Sequence, residues 1–277
     1  MSYLVIQGRR IAGDEAQMLA TLAGAARSER LGDDALRLHD PETPDRVADF
    51  CAGAKLDFAF VPQPRRLADF GLLVMDMDST LISIETVDEM ADLVGRKAEV
   101  AAITAQAMRG EIEYDESLRR RVAVLKGLEE SALARLYQER VTLSPGAEQL
   151  LAGVKRAGLK ILLVSGGFTH VTDRLKARLG LDYTRSNILA IKNGKLTGEI
   201  EGRIVNADAK REALLAARNE LKLDREQIIA IGDGANDLKF MGEAGISIAW
   251  RAKPVVRAKA SYCFDYAGLD GLLNLYT

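Results

Sequence analysis

The sequence predicts an α/β fold: a doubly wound core on a parallel sheet, with an inserted helical cap and a small N-terminal α+β domain. From residue 71 onward, the apolar runs "GLLVM", "KILLVS" and "IIAIG" alternate with amphipathic helical stretches. Near-continuous apolar runs of this length are typical of parallel strands covered on both faces. Residues 83–143, between the first two runs, show helical patterning over a length too great for one crossover connection. We therefore predict that they form the cap.

The first 66 residues have a pattern of their own. "YLVIQ", "LRLHD" and "LDFAFVP" are predicted strands, and the Ala- and Leu-spaced stretches 15–26 and 44–54 are predicted helices between them. "PQPRR", at 62–66, interrupts regular structure and is typical of a linker. We therefore predict one domain over residues 1–66 and a second, which contains the cap, over residues 67–277.

A further insertion in the second domain is predicted to be a β-hairpin. The segment "NILAIKNGKLTGEIEG" places Asn193 and Gly194 between two alternating runs. An Asn-Gly pair favours the tight turn that joins two antiparallel strands, because both residues tolerate positive φ.

Composition and charge exclude several classes of function. The formal net charge of -2 and the isoelectric point near 5.9 leave no basic excess for a phosphate backbone, so no nucleic-acid partner is expected. No apolar stretch reaches the roughly 18 residues of a membrane span, and the first residues lack a signal-peptide pattern. We expect no membrane association and a cytoplasmic location. The two cysteines, Cys51 and Cys263, lie in neighbourhoods without metal-ligand spacing.

Polar residues follow each of the three predicted strands. Asp76 and Asp78 come after "LLVM", "SGGF" (165–168) comes after "ILLV", and "GDGAND" (232–237) comes after "IIAI". Ligands of open α/β sheets collect at the carboxyl ends of the strands, so these segments should converge. Taken singly, each segment is more simply explained by turn chemistry or helix capping. Their combination predicts a functional site.

Four carboxylates would meet at this edge of the sheet: Asp76, Asp78, Asp233 and Asp237. Two unit charges about 4 Å apart repel by roughly 4 kcal/mol at an effective dielectric constant of about 20, and a hard cation relieves that repulsion. Oxygen ligands without His or Cys favour Mg²⁺ over zinc. The sequence therefore predicts a Mg²⁺ site.

An acidic metal site beside a glycine-flanked serine indicates phosphate chemistry. The Ser165 hydroxyl and the N–H groups of Gly166 and Gly167, which we predict at the start of the following helix, are suited to an oxyanion. Lys210 lies on the apolar stripe of the helix in "NADAKREALLAARNELKL". A lysine on that stripe either extends along the edge of the sheet or points into the site. The anion-binding loop favours the second orientation.

The two aspartates after the first strand are predicted to have different roles. Asp76 is the candidate nucleophile, since carboxylates form aspartyl-phosphate intermediates. Asp78 is the candidate acid and base, which protonates the leaving alkoxide and later deprotonates the attacking water.

The predicted cap contains a candidate for recognising an amino-acid carboxylate. In "SLRRRVAVLKG", Arg121 falls on the apolar face with Leu118 and Leu125, whereas Arg119 and Arg120 rotate away. An inward guanidinium needs an anionic partner, and a substrate carboxylate would accept two parallel hydrogen bonds from it.

Glu85, near the start of the first predicted cap helix, has two interpretations. It would bind a substrate ammonium group, or it would interact with the helix dipole as acidic residues at helix N-termini commonly do. Spacing alone favours the second interpretation.

The motifs together resemble a known family. "DMDST", "SGG", the downstream Lys210 and "GDGAND" resemble the four motifs of the haloacid dehalogenase (HAD) superfamily of phosphatases with an aspartate nucleophile. Within it, "MDMDSTLISIETVDEMADLVG", "SLRRRVAVLKGL", "VSGGF", "NGKLTGEIEG" and "IGDGANDL" resemble the phosphoserine phosphatase family, from residue 71 to the C-terminus. The resemblance implies a HAD-like core. It also implies Mg²⁺-dependent hydrolysis of O-phosphoserine to serine and phosphate through an aspartyl-phosphate, the last step of serine biosynthesis.

The resemblance also implies roles for particular residues. It makes Asp76 the nucleophile and Asp78 the acid and base. The implied Mg²⁺ ligands are the Asp76 side chain, the Asp78 main-chain carbonyl and the Asp233 side chain, with Asp237 in support. The implied substrate contacts are Glu85, Arg121, Ser165, Gly166, Lys210 and Asn236, with Met108 and Tyr114 as candidate pocket walls.

Other functions remain open at this level. A phosphotransferase, or a phosphatase that acts on another small phosphorylated amine or alcohol, would need the same residues. A phospho-accepting signalling domain would have no need of Asp78 as a leaving-group acid. The first domain contains no ligand-specific motif. Its element order resembles the small regulatory or dimerising domains that precede some family members, so a homodimer is one expectation.

Overall fold

The computed structural model describes residues 2–276, which pack as two compact units. The first contains the chain up to Leu73, Ser144–Lys160 and the chain from Leu223 onward; the second contains Val74–Leu143 and Ile161–Lys222. The domain boundaries at 66 and 67 and the limits of the cap stay predictions. Within the described residues, no helix has the length and apolarity to span a membrane.

The secondary structure has the following bounds. The strands are β1 (Tyr3–Gln7), β2 (Arg27–Arg30), β3 (Ala35–His39), β4 (Asp57–Val61), β5 (Leu72–Met75), β6 (Lys160–Phe168), β7 (Tyr183–Lys192), β8 (Lys195–Glu201), β9 (Ile228–Gly232), β10 (Ile246–Trp250) and β11 (Tyr262–Phe264). The helices are α1 (Gly13–Ala23), α2 (Asp45–Ala54), α3 (Thr86–Leu93), α4 (Lys97–Met108), α5 (Tyr114–Val124), α6 (Glu130–Arg140), α7 (Ala147–Arg156), α8 (Thr169–Leu179), α9 (Ala207–Leu221), α10 (Leu238–Met241) and α11 (Pro254–Arg257).

The N-terminal part of the first unit contains a four-stranded antiparallel sheet. Its order is β2-β3-β1-β4, and α1 and α2 pack on one face through a core that includes Leu4, Ile6, Leu19 and Cys51. Strand β2 was not predicted, because its residues, "RSER", are polar and mostly exposed. An edge strand of this kind shows no apolar alternation.

Helix α1 ends three residues before the predicted limit. Gly24 follows the helix with φ of 61° and donates its N–H to the carbonyls of Ala20 and Thr21. Glycine adopts this left-handed conformation without the steric cost that other residues have, so it ends the helix.

In the first unit, the pairs β9–β10 and β10–β11 are parallel. In the second unit, β6–β7 is parallel and β7–β8 is antiparallel. Strands β5 and β9 are buried along their whole length, as their uninterrupted apolar sequences predict. The mostly parallel sheet confirms the predicted α/β class.

The predicted hairpin is present as β7 and β8. Asn193 and Gly194 form its turn with φ of 52° and 74°. Two successive positive φ values give a turn whose twist matches that of the flanking strands, which is why the Asn-Gly pair was informative.

Helices α3 to α6 occupy the segment predicted as the cap. The chain enters and leaves this segment side by side, because Ile82 forms an antiparallel bridge with Leu143. At its far side, the backbone of Leu196 in β8 exchanges hydrogen bonds of 2.9 Å with Gly127 and Leu128. The hairpin therefore supports the C-terminal end of α5.

Candidate active site

The tight turn after β5 presents two aspartates to the site. Asp76 is only 5% exposed, at the end of a fully buried strand. Ser79 has φ of 55°, and the Ile82 N–H donates to the Met77 carbonyl at 3.0 Å. This hydrogen bond closes a short loop, so that Asp76 and Asp78 are held close to the strand end.

Lys210 forms a buried ion pair with Asp76. Its Nζ lies 2.7 Å from Asp76 Oδ1, and its side chain is 1% exposed. Lys210 lies in the first turn of α9, where Asn206 caps the helix by accepting from the N–H groups of Asp208 and Ala209. A buried ammonium is stable only where it is paired. Lys210 thus adopts the inward orientation.

Asp78 is held by Thr86, which is not among the predicted site residues. Asp78 Oδ2 accepts from Thr86 Oγ1 at 3.1 Å, and Asp78 Oδ1 accepts from the Thr86 N–H at 3.4 Å. Burial, assisted by the negative charges of Glu85 and Asp76, raises the pKa of Asp78 well above its usual range. A raised pKa favours the protonated carboxyl that a general acid needs. The signal for Thr86 was its place at the first position of a helix.

Glu85 occupies the N-cap position of α3. Its side chain is exposed, and its Oε1 accepts a hydrogen bond of 2.7 Å from the Ser79 hydroxyl. The carboxylate therefore stands beside the nucleophile turn, near enough to Asp78 to influence the pKa of that residue.

The structure corrects the predicted setting of the glycine pair. Gly166 and Gly167 lie in β6, and α8 begins only at Thr169. The β6–β7 register shifts between Val164 and Phe168, so the strand continues through an irregularity. The glycine N–H groups therefore do not belong to a helix N-terminus, and the helix dipole is not what makes them suited to an anion.

Ser165 and Gly167 form a compact local arrangement. The Ser165 side chain is fully buried, and its Oγ accepts the Gly167 N–H at 2.8 Å. A Cβ atom at position 167 would lie 2.6 Å from Met77 Cε and 3.0 Å from Asp78 Oδ2. A side chain at this position would displace these atoms, so glycine allows β6 to run directly against the nucleophile turn.

The two candidate pocket walls have different surroundings. A Cβ atom at Gly166 would lie 2.1 Å from the Tyr114 hydroxyl oxygen, so Tyr114 covers this glycine. Met108, the last residue of α4, is 69% exposed. Of the two, Tyr114 is the one that approaches the glycine pair.

Arg121 lies on the inward side of α5. Leu118 and Val122 on this face are buried, whereas Arg119 and Arg120 are exposed, as helical phase predicted. The Nε atom of Arg121 is buried and has no hydrogen-bond partner among the described residues. A buried donor of a charged group without a partner is costly, so this position is unusual.

Two carboxylates lie close together after β9. One oxygen of Asp233 lies within 4.8 Å of one oxygen of Asp237. Asp237 is fully buried, and its Oδ2 accepts the N–H groups of Asp233 (3.1 Å) and Gly234 (3.0 Å). An all-oxygen donor set fits a hard divalent cation. Asn236 lies in the same one-turn 3-10 helix as Asp237 and is partly exposed.

The ligand roles predicted for Asp76, Asp233 and Asp237 stay predictions. The Asp78 carboxylate is engaged by Thr86. The role predicted for the Asp78 main-chain carbonyl stays a prediction.

Known proteins are similar to this chain in sequence and in fold. The haloacid dehalogenase-like hydrolase family matches residues 73–242, and a domain of unknown function, DUF4072, matches residues 4–49. A phosphoserine phosphatase of Albidiferax ferrireducens is 56% identical over 222 residues, which cover 78% of this chain and 93% of that protein.

Two solved structures match nearly the whole chain. A HAD family hydrolase from Salmonella enterica subsp. enterica serovar Typhi has a TM-score of 0.88 at 36% identity, covering 99% of this chain and 98% of that chain. A probable phosphoserine phosphatase from Vibrio cholerae, in unliganded form, has a TM-score of 0.86 at 36% identity, covering 99% of this chain and 85% of that chain. With its motifs, its mostly parallel sheet and these likenesses, this chain belongs to the haloacid dehalogenase-like hydrolase family.

Proposed function

We propose that this protein hydrolyses O-phosphoserine to serine and phosphate through an aspartyl-phosphate on Asp76. The observation that carries the proposal is the contrast between two neighbouring carboxyl groups. Asp76 is buried and ion-paired with Lys210 at 2.7 Å, whereas the pKa of Asp78 is raised, chiefly by burial. Such a pair suits a nucleophile and a general acid, respectively.

In the first step, an Asp76 oxygen forms a bond to phosphorus while the bond from phosphorus to the serine oxygen breaks. The protonated Asp78 donates its proton to that leaving oxygen. In the second step, Asp78 takes a proton from a water whose oxygen attacks phosphorus, and the bond between Asp76 and phosphorus breaks. Inorganic phosphate leaves, and both carboxyl groups return to their starting states.

Lys210, Ser165 and Gly166 are the proposed contacts of the non-bridging phosphoryl oxygens. Lys210 supplies a positive charge from a rigid, buried position. Fixed donors of this kind stabilise the charge of the transferring group without needing to reorganise during the reaction. Asn236, which lies beside Asp237, is proposed as a further substrate contact.

Mg²⁺ is the proposed cofactor, held by Asp76, Asp233 and the Asp78 main-chain carbonyl, with Asp237 in support. The carboxylates of Asp233 and Asp237, which approach within 4.8 Å of each other, support this choice. When bound, Mg²⁺ would act as a Lewis acid and neutralise negative charge on the phosphoryl group.

Recognition of the amino-acid part is assigned to Arg121 and Glu85. Arg121 would donate two hydrogen bonds to the substrate carboxylate, which fits its buried, unpartnered Nε. Glu85 would accept from the substrate ammonium. The similarity to the phosphoserine phosphatase of Albidiferax ferrireducens supports O-phosphoserine as the substrate. On this proposal, the protein performs the last step of serine biosynthesis in the cytoplasm.

A panel of phosphate esters tests the proposal. Phosphate release is measured from O-phosphoserine, phosphoethanolamine, phosphocholine and sugar phosphates, with and without Mg²⁺ and with added acceptor alcohols. We expect phosphoserine to be preferred, activity to vanish in chelator and return with Mg²⁺, and Ca²⁺ to support it poorly because its looser coordination misplaces the reacting groups. Full activity in chelator would exclude the metal, and transfer to added alcohols in preference to water would indicate a phosphotransferase.

Arg121→Ala tests the choice of an amino-acid substrate. Removing charge-assisted hydrogen bonds worth about 2 to 4 kcal/mol should lower kcat/KM for phosphoserine by roughly 30- to 1,000-fold. Phosphoethanolamine has no carboxylate, so its hydrolysis should change little. Arg121→Lys should restore only part of the loss, because an ammonium cannot reproduce the planar guanidinium.

The matched control is Arg120→Ala. Arg120 lies on the same helix but is exposed and pairs with Glu116 at 2.7 Å. Its removal should leave both substrates unaffected. Equal losses on the two substrates in folded Arg121→Ala protein would refute the carboxylate contact.

A further inference from the structure

Tyr114 is a candidate pocket wall, and its hydroxyl group lies beside Gly166. We propose that it is a further substrate contact, which donates a hydrogen bond to the phosphoryl group during transfer. This inference rests on the proposed function, because it adds a donor to the same phosphate-binding arrangement.

The first support is the position of the hydroxyl. Tyr114 begins α5, and its hydroxyl oxygen lies 2.1 Å from the point that a Cβ atom on Gly166 would occupy. A side chain at position 166 would therefore collide with the hydroxyl, and glycine leaves that space to it. The N–H of Gly166 is a proposed phosphoryl contact, so the hydroxyl stands beside the same oxygen atoms.

The second support is the charge around the hydroxyl. Burial raises the pKa of Tyr114 to about 12; Lys210 and Arg121 oppose this rise, and Asp76 and Asp78 add to it. Four charged groups of the site thus act on this hydroxyl, and Lys210 has the largest influence among them. A phenol with this pKa remains protonated near neutral pH, so it serves as a donor and not as a base.

The third support is the absence of a competing acceptor. Within residues 2–276, no hydrogen bond engages the Tyr114 hydroxyl. Partly buried hydroxyl groups of tyrosine normally have a partner. A phosphoryl oxygen beside Gly166 would provide one.

A hydrogen bond holds the N-terminal end of helix α5, where Tyr114 lies. The next residue, Asp115, accepts a hydrogen bond from Asn206 Nδ2 at 3.1 Å. Asn206 is also the N-cap of α9, the helix that carries Lys210. The same asparagine therefore fixes Tyr114 and Lys210 relative to each other.

Hydrogen bonds also connect the strand that contains Gly166 to the start of α9. Asn187, in β7, donates from Nδ2 to the Gly166 carbonyl at 2.8 Å. Its Oδ1 accepts the N–H of Val205, the residue before Asn206, at 2.8 Å. These bonds form a network that connects Gly166 through Asn187 and Asn206 to the start of α5, where Tyr114 lies. The network holds the hydroxyl over the glycine before substrate binds, as a preorganised donor requires.

Arg121 also lies near the hydroxyl, so a contact with the substrate carboxylate is the competing assignment. The Gly166 contact and the larger influence of Lys210 favour the phosphoryl group. The two assignments predict different effects of removing the hydroxyl. A phosphoryl contact affects the hydrolysis of both phosphoserine and phosphoethanolamine, whereas a carboxylate contact affects that of phosphoserine alone.

Tyr114→Phe tests the inference, with Tyr137→Phe as the matched control. Tyr137 lies in α6, where its buried hydroxyl also has no partner among the described residues. We would measure kcat and KM for O-phosphoserine and for phosphoethanolamine, and the affinity of the Mg²⁺-containing protein for inorganic phosphate by calorimetry. Loss of one hydrogen bond to a charged group should lower kcat/KM about 10- to 100-fold on both substrates in Tyr114→Phe. Phosphate binding should weaken in that variant, and Tyr137→Phe should match the wild type in all three measurements.

Three results would overturn the inference. The first is unchanged kinetics and phosphate affinity in Tyr114→Phe. The second is a loss of activity confined to phosphoserine, which would assign the hydroxyl to the substrate carboxylate. The third is an equal loss in Tyr114→Phe and Tyr137→Phe, which would show a general packing effect. Thermal unfolding of each variant shows whether the fold is retained. Should the wild type fail to hydrolyse phosphoserine, the proposed function fails, while the comparison of phosphate affinities still tests the hydroxyl by itself.

Discussion

Asp76→Asn is expected to abolish hydrolysis of O-phosphoserine and to abolish trapping of an acid-stable aspartyl-phosphate. An amide is a poor nucleophile, so the covalent step has no substitute in the site. Steady-state phosphate release and acid quenching with ³²P-labelled substrate measure the two effects separately. Near-normal turnover in this variant would exclude the covalent mechanism.

Folding must be followed in the same experiment, because the substitution also changes a buried ion pair. Lys210 is 1% exposed in its side chain and would lose the negative charge at 2.7 Å. Circular dichroism and thermal unfolding show whether the fold survives. Asp173→Asn, on the exposed side of α8, provides a control for the same chemical change away from the site, and it should retain full activity.

Asp78→Asn is expected to slow turnover of phosphoserine by about 10²- to 10⁴-fold, the usual effect of losing a general acid or base. The loss should depend on the leaving group. Serine leaves as an alkoxide that needs a proton, whereas p-nitrophenolate leaves without one. With p-nitrophenyl phosphate, the first step should therefore remain fast in Asp78→Asn.

This difference makes the two aspartates separable by experiment. Rapid-mixing kinetics with p-nitrophenyl phosphate should show a burst of nitrophenolate in Asp78→Asn, followed by slow hydrolysis of the accumulated aspartyl-phosphate. No burst should occur in Asp76→Asn. If Asp78→Asn slowed the burst as strongly as it slowed phosphoserine cleavage, Asp78 would not be the leaving-group acid.

Most of the features that position the site were predictable from local sequence. The apolar runs of β5 and β9 predicted buried strands, and the residues after them predicted where Asp76 and Asp233 would stand. Helical phase predicted the inward side chain of Arg121. These inferences succeed because strand and helix periodicity determine which side chains share a face.

Other features lacked a sequence signal because they depend on contacts between distant segments. The Thr86 hydroxyl holds Asp78 only because α3 returns to the nucleophile turn. Gly166 and Gly167 continue β6, although a glycine pair after an apolar run equally suits a helix start. Strand β2 forms by pairing with β3, without an apolar pattern of its own.

The sequence by itself determined the α/β class, the β7–β8 hairpin and the kinds of side chain at the strand ends, because each follows from periodicity or from turn preferences over a few neighbouring residues. Only the tertiary structure decided that Lys210 pairs with Asp76 at 2.7 Å and that the Tyr114 hydroxyl covers Gly166. The residues of each of these pairs are far apart in the chain. Their distance is set by the packing of whole helices and strands, and no local preference encodes it.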